Sequence, residues 1–285
     1  MKLLSTEELK FSPAFTAAAL FAAWFILFIP VSRDLWHTWL NDENNSHGIL
    51  VPLICLYFIW RKKEDLQAVP YSSSWWGGLV LGISLLIYVV SFAGDLAFVA
   101  RLMMVASLMG LIIYNYGKDF FKVVIFPVSF LVFMIPIPAS VIQLISLPLK
   151  FFATTISAAV IRMFSIPVLQ EGNMLYFAQT QLEVADACSG LNSIVALTML
   201  SVIFAYLTKK GIPAKIILLA SAIPLALFVN IVRVSGTGIL AHYFGDGVAQ
   251  GFFHEFSGMA IFFAGFLILL LEFILIENLG RSEKL

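Results

Sequence analysis

Apolar runs of 15 to 20 residues recur from one end of this 285-residue chain to the other. Wound into a helix at 1.5 Å per residue, such a run matches the roughly 30 Å hydrocarbon core of a bilayer. Inside lipid a helix also satisfies its own backbone, which a loop or an open strand cannot do. Charged residues make up 12% of the chain, about half the share of a soluble domain. An ordinary water-soluble enzyme is therefore excluded. Seventeen Lys and Arg balance seventeen Asp and Glu, so no global basic field exists to attract nucleic acid. The expected fold class is an all-α polytopic membrane protein, one integral-membrane domain over residues 1–285.

Eight spans are predicted, at 13–32, 47–60, 75–93, 97–114, 120–137, 191–207, 214–235 and 257–276. The first begins after residue 12, is long enough to cross, and has no small-residue cleavage site behind it, so it reads as a transmembrane helix and not a cleaved signal. Lys and Arg in short loops mark the cytoplasmic side. Twelve of the seventeen fall in the N-terminus, the 61–74 loop, the 115–122 turn, the 208–215 loop and the C-terminus, whereas the opposite loops hold only Arg33. Both termini, 1–12 and 277–285, are thus expected in the cytoplasm. Arg101, Lys150, Arg162 and Arg233 remain, within or beside apolar segments. Counting 140–165 as a crossing would invert the charge rule for the C-terminal half. With Pro136 and Pro138 before it and Pro148, Lys150 and Arg162 inside, that segment is expected to be an outer-face amphipathic or re-entrant element.

The outer loop at 166–190 alternates polar and apolar residues and is expected to form a short β-hairpin, although no Asn-Gly type of turn supports it. It leads through Ala185-Asp186-Ala187-Cys188-Ser189-Gly190 into an apolar helix. A cysteine beside a helix N-terminus is biased toward the nucleophilic thiolate. The plainer alternative is a small residue that packs well. The next span ends with Asn230-Ile231-Val232-Arg233, two polar residues on one helix face; Arg233 either turns inward or snorkels to the headgroups. The last span opens with His254, and the second with Asn44-Asn45-Ser46-His47-Gly48. Three consecutive spans thus deliver a nucleophile, a permanent cation and an imidazole at one depth. That inventory suits acyl transfer: Cys188 attacks a carbonyl, His254 moves the proton, and Arg233 stabilises the thiolate or oxyanion. The outer loops offer no paired-ligand spacing, so neither a metal nor another cofactor is expected.

These boxes resemble the exosortase/archaeosortase family. The resemblance rests on Cys188-Ser189-Gly190-Leu191 after a Glu171-Gly172-Asn173 hairpin, on Asn230-x-x-Arg233, on His254-x-x-x-Gly258 and on Ser46-His47-Gly48, over roughly residues 30–276. It implies a membrane cysteine protease or transpeptidase of the bacterial plasma membrane, with Cys188, Arg233 and His254 catalytic and Asn230, His47, Asp186, Ser189 and Gly190 in support. The implied partners are exported proteins whose C-terminal tail carries a Pro-Glu-Pro-like motif, a transmembrane helix and a basic end, together with membrane lipids and a polysaccharide or lipid acyl acceptor.

Two other readings fit the residues. In a transporter or flippase for a lipid-linked saccharide, Arg233, His254 and His47 would line a polar path and Cys188 would be incidental. In a scaffold of a secretion or polysaccharide complex, none of the three would matter. Cys55, about 12 Å into its helix, is expected to be a free, packed thiol.

Overall fold

In the computed structural model of the chain, the described residues are 13–178, 180–184, 190–245 and 252–279, the side chains of 13, 14, 43 and 252–257 excepted. Tertiary contacts divide the chain into two units, residues 1–137 and 138–285.

The first unit is helical. Helices α1 (Pro13–Leu27) and α2 (Ile29–Asn41) are bent by 56° at Phe28, so the first apolar run continues past its expected end at residue 32 as a broken pair. A 3₁₀ segment, Glu43–Ile49, leads into α3 (Leu50–Arg61) and the short α4 (Lys63–Ala68). Helix α5 (Trp75–Ala93) is followed by α6 (Ala97–Phe130), whose 34 residues would run about 51 Å if straight. Gly117 interrupts it with φ 90° and ψ 175°, inside the turn expected at 115–122. A Cβ there would lie 2.1 Å from the Ser72 carbonyl oxygen, so both the left-handed φ and the close backbone call for glycine. Residues from both sides of the break, Ile112 on one and Val124 and Val128 on the other, share one apolar cluster.

Small residues let α5 and α6 approach closely. A Cβ on Gly77 would meet the Tyr114 nitrogen at 2.1 Å, and one on Gly110 the Leu81 nitrogen at 2.5 Å. Lipid supplies no hydrophobic drive between helices, so this backbone-level packing is what holds the pair. Arg101, left over by the charge count, donates to the Asp34 carboxylate at 2.6 Å.

The second unit begins with α7 (Ala139–Met163), and here one sequence expectation is corrected. No re-entrant break forms at 140–165; the segment is one continuous 25-residue helix. Pro148 is accommodated inside it, and Arg162 lies in the last turn, donating through Nε and Nη2 to the Val168 carbonyl at 3.3 and 3.2 Å. A cation at a helix C-terminus is favourable, so Arg162 does not disrupt the helix as its place in the sequence suggested.

The expected hairpin forms, and a third strand extends it into an antiparallel sheet: β1 (Leu169–Glu171), β2 (Met174–Tyr176) and β3 (Gln181–Glu183) in that order. The two-residue turn Gly172-Asn173 joins β1 to β2, and its positive φ of 61° falls on Gly172 alone, the pattern of a II′ turn. Leu175 pairs with Leu182, and that face packs with Phe177 and Val184 onto Ala158 and Ile161 of α7 and Val234 and Ala241 further along the chain. Gln170 donates to the Thr155 hydroxyl at 2.9 Å, so the sheet runs back along α7. With Glu171 and Glu183 exposed on those strands, α7 from Phe151 onward stands beside a polar layer.

Helices α8 (Leu191–Leu207), α9 (Ile212–Phe244) and α10 (Phe252–Asn278) complete the unit. Among the described residues five helices are long and apolar enough to cross a membrane, six with the bent pair counted as one span; α7 is one of the five by length and composition. Helices α3 and α8, at 12 and 17 residues, reach about 18 and 26 Å. The fold is an all-α polytopic membrane protein with a small sheet.

The α5–α6 contact predicts that Gly77→Ala lowers the thermal unfolding temperature in detergent by several degrees, an overpacking cost of about 1–3 kcal/mol. Gly82→Ala, where nothing lies within 4 Å of the added methyl, leaves it unchanged or raises it.

Candidate active site

Three apolar helices bundle around Leu197 and Phe204 of α8, Leu218, Ala226 and Val229 of α9, and Leu269 of α10. One end of the bundle is pinned by polar bonds. The Thr208 hydroxyl and the Lys209 N–H, the latter at 3.0 Å, both donate to the Glu277 carboxylate, and the Ser221 hydroxyl donates to Glu272 at 2.8 Å. Counted from that end, Gly190 lies about 27 Å back along α8, Asn230 about 27 Å along α9, and Gly258 about 28 Å back along α10. The three sequence boxes therefore reach one level.

Contacts confirm the count. A methyl built on Gly190 would lie 3.1 Å from Asn230 Nδ2 and 3.3 Å from its Cβ, so the Asn230 side chain, 2% exposed, rests on the backbone of Gly190. A methyl on Gly258 would lie 3.3 Å from Arg233 Nη2 and 3.4 Å from Cζ, so the guanidinium rests on α10. His254 precedes Gly258 by one turn in that helix, and its side chain lies outside the described residues. Arg233 turns toward α10, which decides between the inward and snorkelling alternatives in favour of the first.

Gly190 caps α8 in the left-handed region, φ 84°, and accepts the first helical bond from Ile194 at 2.9 Å. Cys188, Ser189 and Asp186 lie just before it, outside the described residues. Upstream, the approach is anchored at Asn173: its carbonyl accepts from the Val184 N–H at 2.9 Å, and its amide donates to the Val184 carbonyl at 3.2 Å. The sequence boxes contain Asn173, but no spacing rule gave it this anchoring part. The signal was available in the Gly172-Asn173 pair, a hairpin dipeptide.

His47 belongs to the first unit, in the 3₁₀ segment ahead of α3. Burial pulls its pKa below the ordinary histidine value, against hydrogen bonds to the backbone of Asn44 and Phe133 that raise it. Gly48 beside it lies against the Trp39 ring, whose Nε1 donates to the Met134 carbonyl at 2.9 Å. The two backbone hydrogen bonds tie His47 to its own unit. Cys55 is a free, buried thiol in the same unit.

Chemically, the described end of the bundle offers a guanidinium held flat on one helix and a buried amide held on the turn into another. An anion formed near that turn would meet a fixed cation, which is the arrangement that lowers the cost of a thiolate or an oxyanion. Gly190→Ala is expected to cost about 1–2 kcal/mol for the left-handed φ alone, plus the contact with Asn230. Adding Asn230→Ala should recover only the contact part, read as unfolding temperatures of the single and double variants.

The family model for transmembrane exosortases matches residues 39–271, across both units. The chain matches no curated protein and no solved structure. With the matched stretch covering most of the chain and holding the three boxes that the bundle brings to one level, this protein belongs to the transmembrane exosortase family.

Proposed function

We propose that this protein is a membrane-embedded cysteine peptidase or transpeptidase that cleaves the C-terminal sorting signal of exported proteins through an acyl-enzyme. Family membership supports the reaction class. The observation that supports the assignment of residues is the convergence of Gly190, Asn230, Arg233 and Gly258, described members of the three boxes, at one end of the α8–α9–α10 bundle.

In the proposed mechanism the Cys188 thiolate attacks the scissile carbonyl carbon, and the tetrahedral oxyanion forms facing donors at the start of α8 and the Arg233 guanidinium. As the C–N bond breaks, His254 gives its proton to the leaving amine, leaving a thioester on Cys188. A second nucleophile, water or an amine on a lipid or polysaccharide, loses its proton to His254, attacks the thioester and restores the thiolate. The substrate's own tail helix, lying in the bilayer against the bundle, would provide much of the positioning.

The proposed setting is the bacterial inner membrane, multi-pass, both termini cytoplasmic, the site at the extracytoplasmic face. The polar sheet packed on the far end of α9 supports that side, because exposed Glu171 and Glu183 cannot sit in hydrocarbon. In this topology α7 lies along the outer face.

Two outcomes are expected. With a tail-bearing reporter co-expressed in cells, Cys188→Ala and Cys188→Ser each lower processing by roughly 100-fold or more, and Arg233→Lys lowers it about tenfold, because a point charge does not replace a planar guanidinium; normal processing by Cys188→Ser would favour a transporter instead. In a Cys55→Ala, Cys188→Ala background, single cysteines at Ser140 and Ser165 both react with an impermeant maleimide added outside the inner membrane. Labelling at only one would mean that α7 crosses.

A further inference from the structure

A polar cavity in the first unit holds none of the residues assigned to acyl transfer. It measures about 250 Å³ and is lined by Asp34 of α2, Ser91 and Phe92 at the end of α5, Asp95 and Leu96 in the link to α6, and Arg101 of α6, among others. That is less than the roughly 300–1,000 Å³ of sites that enclose a whole small ligand. It suits the polar end of a longer molecule whose remainder lies outside.

Its height in a bilayer follows from α5. That helix rises about 28 Å over its 19 residues, one hydrocarbon thickness. In its first turn Trp75 and Trp76 are exposed, and the Lys118 ammonium lies 5.3 Å from the centre of the Trp76 ring. Exposed Trp beside Lys marks a membrane boundary. The cavity sits at the other end of α5, hence at the opposite boundary, where the exposed side chains of Phe92 and Leu96 give it an apolar rim.

The charges inside alternate. Arg101, its side chain 12% exposed, donates from Nη2 to the Asp34 carboxylate at 2.6 Å. That is its only bond to a described residue, and its Nε is buried with no acceptor. Guanidinium donors are thus left unspent beside the cavity. The first turn of α6 has no side-chain cap and borders the cavity at Ala97, which favours an anion at the same place. Asp95 is exposed, and its carboxylate has neither a hydrogen bond nor an ion pair among the described residues. The Leu96 N–H donates to the Ser91 carbonyl at 2.8 Å and closes the turn that holds Asp95 left-handed, φ 54°. Two carboxylates against one guanidinium leave the cavity net negative, so a bare anion is repelled and an ammonium is drawn in.

We propose that this cavity binds the headgroup of a lipid that carries both a phosphate and a primary ammonium, a phosphoethanolamine. The phosphate meets the Arg101 guanidinium and the start of α6. The ammonium sits between Asp34 and Asp95, and the acyl chains leave over Phe92 and Leu96. Selectivity follows from the same charges: a phosphoglycerol headgroup brings a third negative charge and no cation, and a phosphocholine brings a cation with no N–H to donate. The bound lipid ties α2 to the α5–α6 pair, independently of the acyl-transfer reading.

The test uses the full-length protein in nanodiscs of equal parts phosphatidylethanolamine, phosphatidylcholine and phosphatidylglycerol. Native mass spectrometry identifies the lipid that stays bound after extraction into detergent. The ethanolamine lipid is retained about tenfold over each of the others. Asp95→Asn removes one charge at a φ that asparagine adopts readily, and brings that retention down to the choline level. Arg101→Lys, which keeps a cation beside Asp34, lowers it several-fold. Equal retention of the three lipids by the unaltered protein, or a preference unchanged in Asp95→Asn, refutes the site. Displacement of the lipid by soluble phosphoethanolamine makes a free phosphate ester the occupant, and a rise in unfolding temperature with Ca²⁺ but not with the ethanolamine lipid makes this a cation site; either overturns the lipid assignment.

Discussion

Helix α9 is longer than a bilayer is thick. Its 33 residues rise about 50 Å, against roughly 30 Å of hydrocarbon. Set along the membrane normal it leaves about thirteen residues clear of the lipid, and the proposed topology puts these beside the exposed carboxylates of the sheet. In the proposed topology Arg233 falls where the helix leaves the apolar layer, so its charge meets a polar boundary and avoids the cost of the membrane centre. Beyond it, Val234, Gly238 and Ala241 give the sheet and the end of α7 a surface to pack on. A shorter α9 would leave both without support.

Against that long helix, α8 counted cap to cap and the Gly258–Glu277 stretch of α10 act as struts that rise by matched amounts, about 27 and 28 Å. The carboxylate of Glu277, bound by Thr208 and the Lys209 N–H, fixes the register at one end, and the helical rise carries it to the other. Register set there returns about 28 Å away as the seating of Asn230 on Gly190 and of Arg233 on Gly258. Glycine matters at both seats for different reasons: at 190 the backbone is left-handed, whereas at 258 the absent side chain lets a guanidinium lie against the helix.

The common level of Gly190, Asn230 and Gly258 was legible in the amino-acid sequence, because counting residues along apolar runs is a measurement of height. The break in α6 was legible for the same reason, since Lys118 and Lys122 interrupt hydropathy around Gly117. The form of α7 was not. Pro148 and Arg162 read as breakers along the chain, but the carbonyl that binds Arg162 belongs to Val168, in a segment whose path depends on the sheet. The third strand has no turn signal before it, because Phe177-Ala178-Gln179-Thr180 holds none of the Gly, Pro or Asn residues that mark a turn. The pairing of Arg101 with Asp34, 67 residues apart, has no sequence signal at all.

The central claim is chemical: Cys188 becomes covalently bound to its substrate. It is tested by quenching the full-length protein during turnover with a tail-bearing substrate, then measuring the mass of the Cys188-containing peptide. The account predicts a hydroxylamine-sensitive thioester adduct equal to the substrate portion on the exported side of the cleaved bond, absent in Cys188→Ala. Turnover of the same substrate with Cys188 unmodified at every time point would contradict it.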